Sequence, residues 1–163
     1  MAARRSAGIL LYRKGERGLL VLLVHPGGPY WARKDVGAWS IPKGEYVDGD
    51  DPQAAALREF EEELGSKPAG TLVALGDLTQ KGGKHVTAFA LEGNLDPPDI
   101  VSNTFELEWP PRSGRRQLFP EVDRAEWFSL DDARENILAS QRAFLDRLAA
   151  LIAAEAGDDR PGT

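Results

Sequence analysis

The chain has 163 residues, 42% of them hydrophobic and 28% charged, with a formal net charge of −6 and no cysteine. That length suits one domain with a real core, and the acidic balance argues against a general binder of nucleic acid polymers or membrane surfaces. The lack of cysteine excludes disulfides, thiolate metal sites and cysteine nucleophiles.

The apolar run Leu19 to Val24 is far too short to span a bilayer. No apolar stretch of signal-peptide length follows Arg4 and Arg5, so a cytoplasmic location is expected. Ser6 to Tyr12 and Leu19 to His25 read as two strands joined by a charged, glycine-bearing turn. Both runs are continuously apolar, which predicts strands buried on both faces. Pro26 to Gly37 reads as a loop, and Trp39 to Pro42 as a short extended segment. Asp51 is a natural N-cap, Pro52 fits the first helical position and Gly65 fits a C′ glycine, so a helix is expected between them. Thr71 to Leu78 and Lys84 to Leu91 are further strand candidates. Asn94 to Gly114 is expected to be a long, proline-rich loop, functional or disordered by its length, with Phe105, Leu107 and Trp109 weighing against simple disorder. Arg124 to Ser129 reads as a strand ending in an N-cap, with Asp132 completing a capping-box pattern. Gln141 to Ala154 places apolar residues at helical spacing. One domain is expected over 1–155, with a disordered tail over 156–163. Strands on either side of a central helix, with a helix at the end, predict an α/β fold, a mixed sheet between helices.

The mid-chain helix is chemically unusual. Glu59, Glu62 and Glu63 stand at i, i+3 and i+4, so three carboxylates share one face and repel. A divalent cation would reverse the sign of that interaction, and hard cations such as Mg²⁺ take carboxylate oxygens. Arg58, four residues before Glu62, is placed to hold that carboxylate.

Residues 44 to 66, GEYVDGDDPQAAALREFEEELGS, resemble the Nudix box, G-x5-E-x7-R-E-U-x-E-E-x-G-U with U a bulky aliphatic. Gly44, Arg58, Glu59, Glu62, Glu63 and Gly65 fill their box positions. Phe60 is an aromatic U, Asp50 replaces a glutamate and Ser66 replaces the last aliphatic. The resemblance implies a Nudix-type α/β/α sandwich. It also implies hydrolysis of a nucleoside diphosphate-linked pyrophosphate bond with Mg²⁺, Mn²⁺ being a possible substitute. By carry-over, Glu59, Glu62 and Glu63 are metal ligands, joined by the backbone carbonyl of Lys43. Glu59 or Glu62 orients or deprotonates the water, and Arg58 supports them.

Outside the box, Glu121 lies in LFPEVDRAEW, six residues before Trp127. That arrangement is similar to the diadenosine tetraphosphate hydrolase-like branch, where a loop glutamate joins the metal site. Asp123 is a weaker substitute. SAGILLYR, WSIPKGE and the basic Lys84 at a strand start also have counterparts in that branch. Lys43 and Lys84 are candidate phosphate contacts, and Lys81, Lys84 and His85 flank a Gly-Gly turn suited to phosphate or to a plain polar hairpin. Arg112, Arg115 and Arg116 form a basic cluster that can clamp a distal phosphate. Trp109, Trp31 and Tyr30 are candidate base-stacking surfaces, whereas Trp39 and Trp127 suit packing. His25 and His85 stand alone and read as packed or solvated. The favoured substrate is a dinucleoside polyphosphate, diadenosine tetraphosphate giving AMP and ATP. The alternatives are a nucleoside triphosphate, nucleotide-sugar or diphosphoinositol pyrophosphohydrolase, or a non-catalytic ligand-binding module. The expected partner is a small nucleotide, with no nucleic acid polymer and no membrane, and the chain a monomer or homodimer.

Overall fold

The two apolar runs near the start form strands β1 (Arg5–Gly15) and β2 (Gly18–Pro26), paired as an antiparallel hairpin. The computed structural model describes residues 4–80, 82–96 and 101–158. Lys81 and residues 159–163 of the expected tail therefore lie outside the described residues. The continuous apolar character of β1 has a direct cause. Ile9 and Leu11 face one core, while Leu10 and Tyr12 face another on the opposite side of the sheet. Both faces are covered, so neither can be polar.

The other elements in chain order are β3 (Lys43–Tyr46), α1 (Pro52–Leu64), β4 (Val73–Thr79), β5 (His85–Glu92), β6 (Thr104–Glu108), β7 (Arg116–Pro120), β8 (Val122–Ser129), α2 (Leu130–Asn136) and α3 (Arg142–Asp158). The main sheet runs β4-β5-β1-β2-β8, with β3 also paired to β1. β1 and β5 are parallel, and the other pairings of this sheet are antiparallel. Ala55, Ala56, Phe60 and Leu64 of α1 pack on one face. Ala133 of α2 and Phe144, Leu145 and Leu148 of α3 pack on the other, together with Trp39 and Ile41. This is the expected mixed sheet between helices.

Helix α1 has the expected ends. The Asp51 carboxylate accepts the Ala54 N–H at 3.2 Å, Pro52 opens the helix, and Gly65 closes it at φ 72° while its N–H donates to Glu61 O. Ser129 caps α2 by accepting the Asp132 N–H at 3.2 Å. Helix α3 runs through Asp158, three residues into the stretch read as tail. The expected long loop over 94–114 contains a strand. β6 pairs antiparallel with β7 as a separate two-stranded sheet, with Phe105 opposite Phe119. Its alternation is short and mostly exposed on one side, so the surrounding prolines and glycine dominated the sequence signal.

The extended segment before β3 is pinned from both sides. Ser40 and Val24 exchange backbone hydrogen bonds of 3.0 and 2.8 Å. The fully buried Gln141 accepts the Ile41 N–H and donates to Ser40 Oγ, both at 3.0 Å. Phe60→Ala should cost about 3–5 kcal/mol of unfolding free energy, since it empties a buried aromatic site under α1. Asp51→Ala should cost only about 1 kcal/mol. Urea unfolding of both variants measures the contrast, and equal losses would contradict this account of how α1 is held.

Candidate active site

Helix α1 presents its acidic face to β3. The contact is close enough that a Cβ at Gly44 would overlap the Glu59 carboxyl, so that position needs glycine for space. Glu63 Oε2 accepts the backbone N–H of Lys43 at 3.2 Å. Burial pushes the Glu63 carboxyl up to about 8, opposed by Lys43 and reinforced by Glu59 and Glu121. Burial and then Glu62 raise Glu59, with Arg58 opposing. Burial also lowers the Lys43 ammonium from its ordinary value, against the pull of Glu63 and with the help of nearby Lys84. These mutual influences place Glu59, Glu62, Glu63, Glu121 and Lys43 in one electrostatic neighbourhood, with Lys84 beside Lys43.

Glu121 reaches the cluster from almost sixty residues away through backbone bonds. The Asn103 N–H donates to Glu62 O at 2.9 Å and the Val101 N–H to Leu64 O at 3.2 Å, satisfying carbonyls at the end of α1. The Glu121 N–H then donates to Asn103 O at 2.8 Å, and its carbonyl accepts the Gly27 N–H at 3.0 Å. Ser102 Oγ accepts the Val122 N–H at 3.0 Å. Sequence reasoning singled out Glu121 but missed Ser102, Asn103 and Gly27. Asn103 and Gly27 act through backbone atoms and Ser102 through a hydroxyl bonded to a distant backbone N–H, none of which leaves a local side-chain pattern. Gly27 is necessary because a Cβ there would overlap the Pro120 carbonyl.

Two clefts meet at Glu121. One, of about 230 Å³, is lined by Pro26, Trp31, Ser40, Lys43, Glu63 and Glu121 among others. The second, of about 370 Å³, is walled by Pro29, Tyr30, Trp31, Phe105, Leu107 and Glu121. Trp31 and Pro26 belong to both.

Several expected partners sit differently. The Arg58 guanidinium contacts Glu59 Oε1 at 3.4 Å instead of Glu62. The Glu59 side chain is only 14% exposed, so its attraction for a cation is weakly screened by water. Asp123 bonds His25 Nδ1 at 2.8 Å and is committed there. Gly83 spends its N–H on Gln80 O at 3.1 Å, as in a plain polar turn. Arg112, Arg115 and Arg116 are exposed beyond the strands of the β6–β7 hairpin or at its end, and none of them lines either cleft. Arg116 is 3.8 Å from Glu106. Trp109 meets Tyr30 edge to face at 5.3 Å.

A family model described as NUDIX domain matches residues 2–148. The chain belongs to the Nudix family. Among proteins of known sequence, this Nudix chain is 35% identical over 101 residues to an octanoyltransferase from Myxococcus xanthus, covering 62% of the chain and 25% of that protein. It is 36% identical over 67 residues to an RNA pyrophosphohydrolase from Rhodospirillum rubrum, covering 39% of each. The matches thus span a quarter to two fifths of these relatives' lengths. Among solved structures, a C. elegans Ap4A hydrolase binary complex superposes with a TM-score of 0.62 at 24% identity, over 93% of this chain and 99% of that one. At that identity the likeness concerns the fold.

Nudix hydrolases generally use divalent metals such as Mg²⁺. The donor set here fits one in chemistry. It offers several hard carboxylate oxygens, and Glu63 is held near-neutral by its surroundings unless a cation offsets them. Among the described residues, no three acidic or histidine side chains converge as a formed cage.

In the metal-free protein, folded Glu63 keeps its proton to about 8, where an unfolded glutamate releases it near 4.5. Between those values the folded state binds the extra proton. This carboxyl's contribution is therefore complete below about 4.5 and lost as pH rises towards 8. Wild type should lose stability relative to Glu63→Gln across that window, by up to about 1.4 kcal/mol per pH unit. Urea midpoints with a chelator present measure this, and parallel pH profiles for the two proteins would refute the assignment.

Proposed function

We propose that this chain is a divalent-cation-dependent pyrophosphohydrolase whose substrate is a dinucleoside polyphosphate. The observation that carries the reading is the gathering of Lys43, Glu63 and Glu121 along one cleft, with Glu59 close enough to act on Glu63, and a second aromatic cleft meeting the first at Glu121. A polyphosphate bearing a base at each end needs an acidic, metal-holding centre and apolar surface on two sides. The arrangement around Trp31 offers both.

In this reading Glu59, Glu62, Glu63, Glu121 and the Lys43 carbonyl hold Mg²⁺ or Mn²⁺. When bound, the ion supplies charge neutralisation at the phosphates and makes a water more acidic. Glu59 or Glu62 takes the proton of the attacking water. Arg58 keeps Glu59 oriented through the contact at 3.4 Å. The Lys43 and Lys84 ammonium groups face the polyphosphate. Arg112, Arg115 and Arg116 receive its distal end, and Trp109, steadied by Tyr30, stacks on a base. The likeness to an RNA pyrophosphohydrolase favours a second reading, cleavage of a 5′-triphosphate, which the net charge of −6 opposes for a polymer substrate.

The test is incubation with Mg²⁺ and a panel of diadenosine tetraphosphate, nucleoside triphosphates, nucleotide sugars, diphosphoinositol polyphosphates and 5′-triphosphorylated RNA, with products identified by chromatography. AMP and ATP should appear from diadenosine tetraphosphate faster than any mononucleotide is turned over. Glu62→Gln should lower kcat by about 10²–10⁴-fold. No turnover of any substrate, with Glu62→Gln indistinguishable from wild type, would sink the enzyme reading. Replacing Arg115 and Arg116 together by Ala should raise KM about tenfold, a loss of about 1.4 kcal/mol, with kcat little changed. An unchanged KM would remove these arginines from the site.

A further inference from the structure

His25 ends the buried part of β2 and is fully buried, yet it lines neither cleft. Its ring has two polar partners. Nδ1 lies 2.8 Å from the Asp123 carboxylate, and Nε2 lies 2.5 Å from the backbone carbonyl of Lys34. A carboxylate and a carbonyl both accept, so each ring nitrogen must donate. A neutral imidazole has one N–H and would set a lone pair against one of these oxygens. The ring that fits carries both protons.

Asp123 reaches His25 because the sheet is irregular there. β2 and β8 pair His25 with Arg124 and then Pro26 with Val122, so the register shifts at Asp123. A bulge of this kind re-aims one side chain. Here it turns the Asp123 carboxylate to the ring, two residues after Glu121 enters the acidic cluster. The other side of the ring holds the loop between β2 and β3. Asp35, beside the bonded carbonyl of Lys34, accepts Trp39 Nε1–H and Arg124 Nη2–H, both at 3.2 Å. Trp39 packs edge-on against His25 with centroids 5.1 Å apart, and the Arg124 guanidinium lies 5.1 Å from the Trp39 ring. The charged groups facing the ring's surroundings are therefore Asp123, Asp35 and Arg124.

We propose that His25 is a positioning residue: a buried imidazolium that ties the loop carrying Trp31 to the β8 bulge beside Glu121, and so holds the two walls shared by both clefts. It touches neither substrate nor metal. Its functional part rests on the proposed hydrolase reading, while the doubly protonated ring can be tested without it.

The chain has only two histidines, so the ring signals are readily separated. In a ¹⁵N-edited spectrum of the wild-type protein near neutral pH, with His85→Gln used to assign, His25 should show protons on both ring nitrogens. A ring with one protonated and one bare nitrogen would overturn the lock. In His25→Gln, amide exchange of the hydrogen-bonded loop groups at Gly27, Trp31, Lys34 and Ala38 should quicken at least tenfold, while amides of α1 and β5 keep their rates. Unchanged loop exchange would overturn the positioning role. With a substrate from the panel above, His25→Gln should raise KM about tenfold and leave kcat within about threefold. If KM is unchanged while wild type is active, the link to the clefts is wrong. If wild type hydrolyses nothing, the hydrolase reading fails while the spectrum and exchange rates still decide whether the lock exists.

Discussion

Burial of carboxylates, reinforced by repulsion among them, is the constraint around which the site is arranged. Helix α1 carries Glu59, Glu62 and Glu63 on one face, and Phe60 and Leu64 on the face that packs beneath the sheet. The apolar side of the helix cannot be buried without bringing the acidic side against β3. Gly44 makes that approach possible by having no side chain, and Lys43 partly offsets the charge. Glu63 responds by holding its proton far above the ordinary glutamate range. Core packing thus stores an electrostatic cost at the place where a cation can relieve it.

The remaining parts serve to bring a fourth carboxylate to that place. The segment at 101–103 uses backbone donors to satisfy the open carbonyls of α1 and a backbone carbonyl to receive Glu121. Gly27 completes the clamp from the opposite loop. Because these are main-chain bonds, they fix position with little dependence on side-chain identity. The β2–β8 bulge then sends Asp123 inward to His25 while Glu121 remains at the clefts. Neighbouring acidic residues acquire different tasks from one irregularity in the ladder.

Much of the architecture was legible in the residues. The doubly buried hairpin followed from unbroken apolar runs, and the ends of α1 from Asp51, Pro52 and Gly65. The β6–β7 sheet was not legible. Its strands are short and half-exposed, and they lie among prolines and glycine that signal turns. The partner of Arg58 was not legible either. Helical spacing allows contact with Glu62, but the guanidinium lies against the neighbouring Glu59, whose side chain is mostly buried.

By itself the sequence determined that three carboxylates share a helical face, because helical periodicity is local and fixed by the chain's own geometry. It also determined where that helix starts and stops, since caps act within one turn. Only the tertiary structure decided how Glu121, marked in the sequence by resemblance alone, is carried to those carboxylates, that Asp123 turns away to a buried histidine, and that two clefts share Trp31. Those outcomes depend on backbone hydrogen bonds and a register shift between strands about a hundred residues apart, which no local pattern encodes.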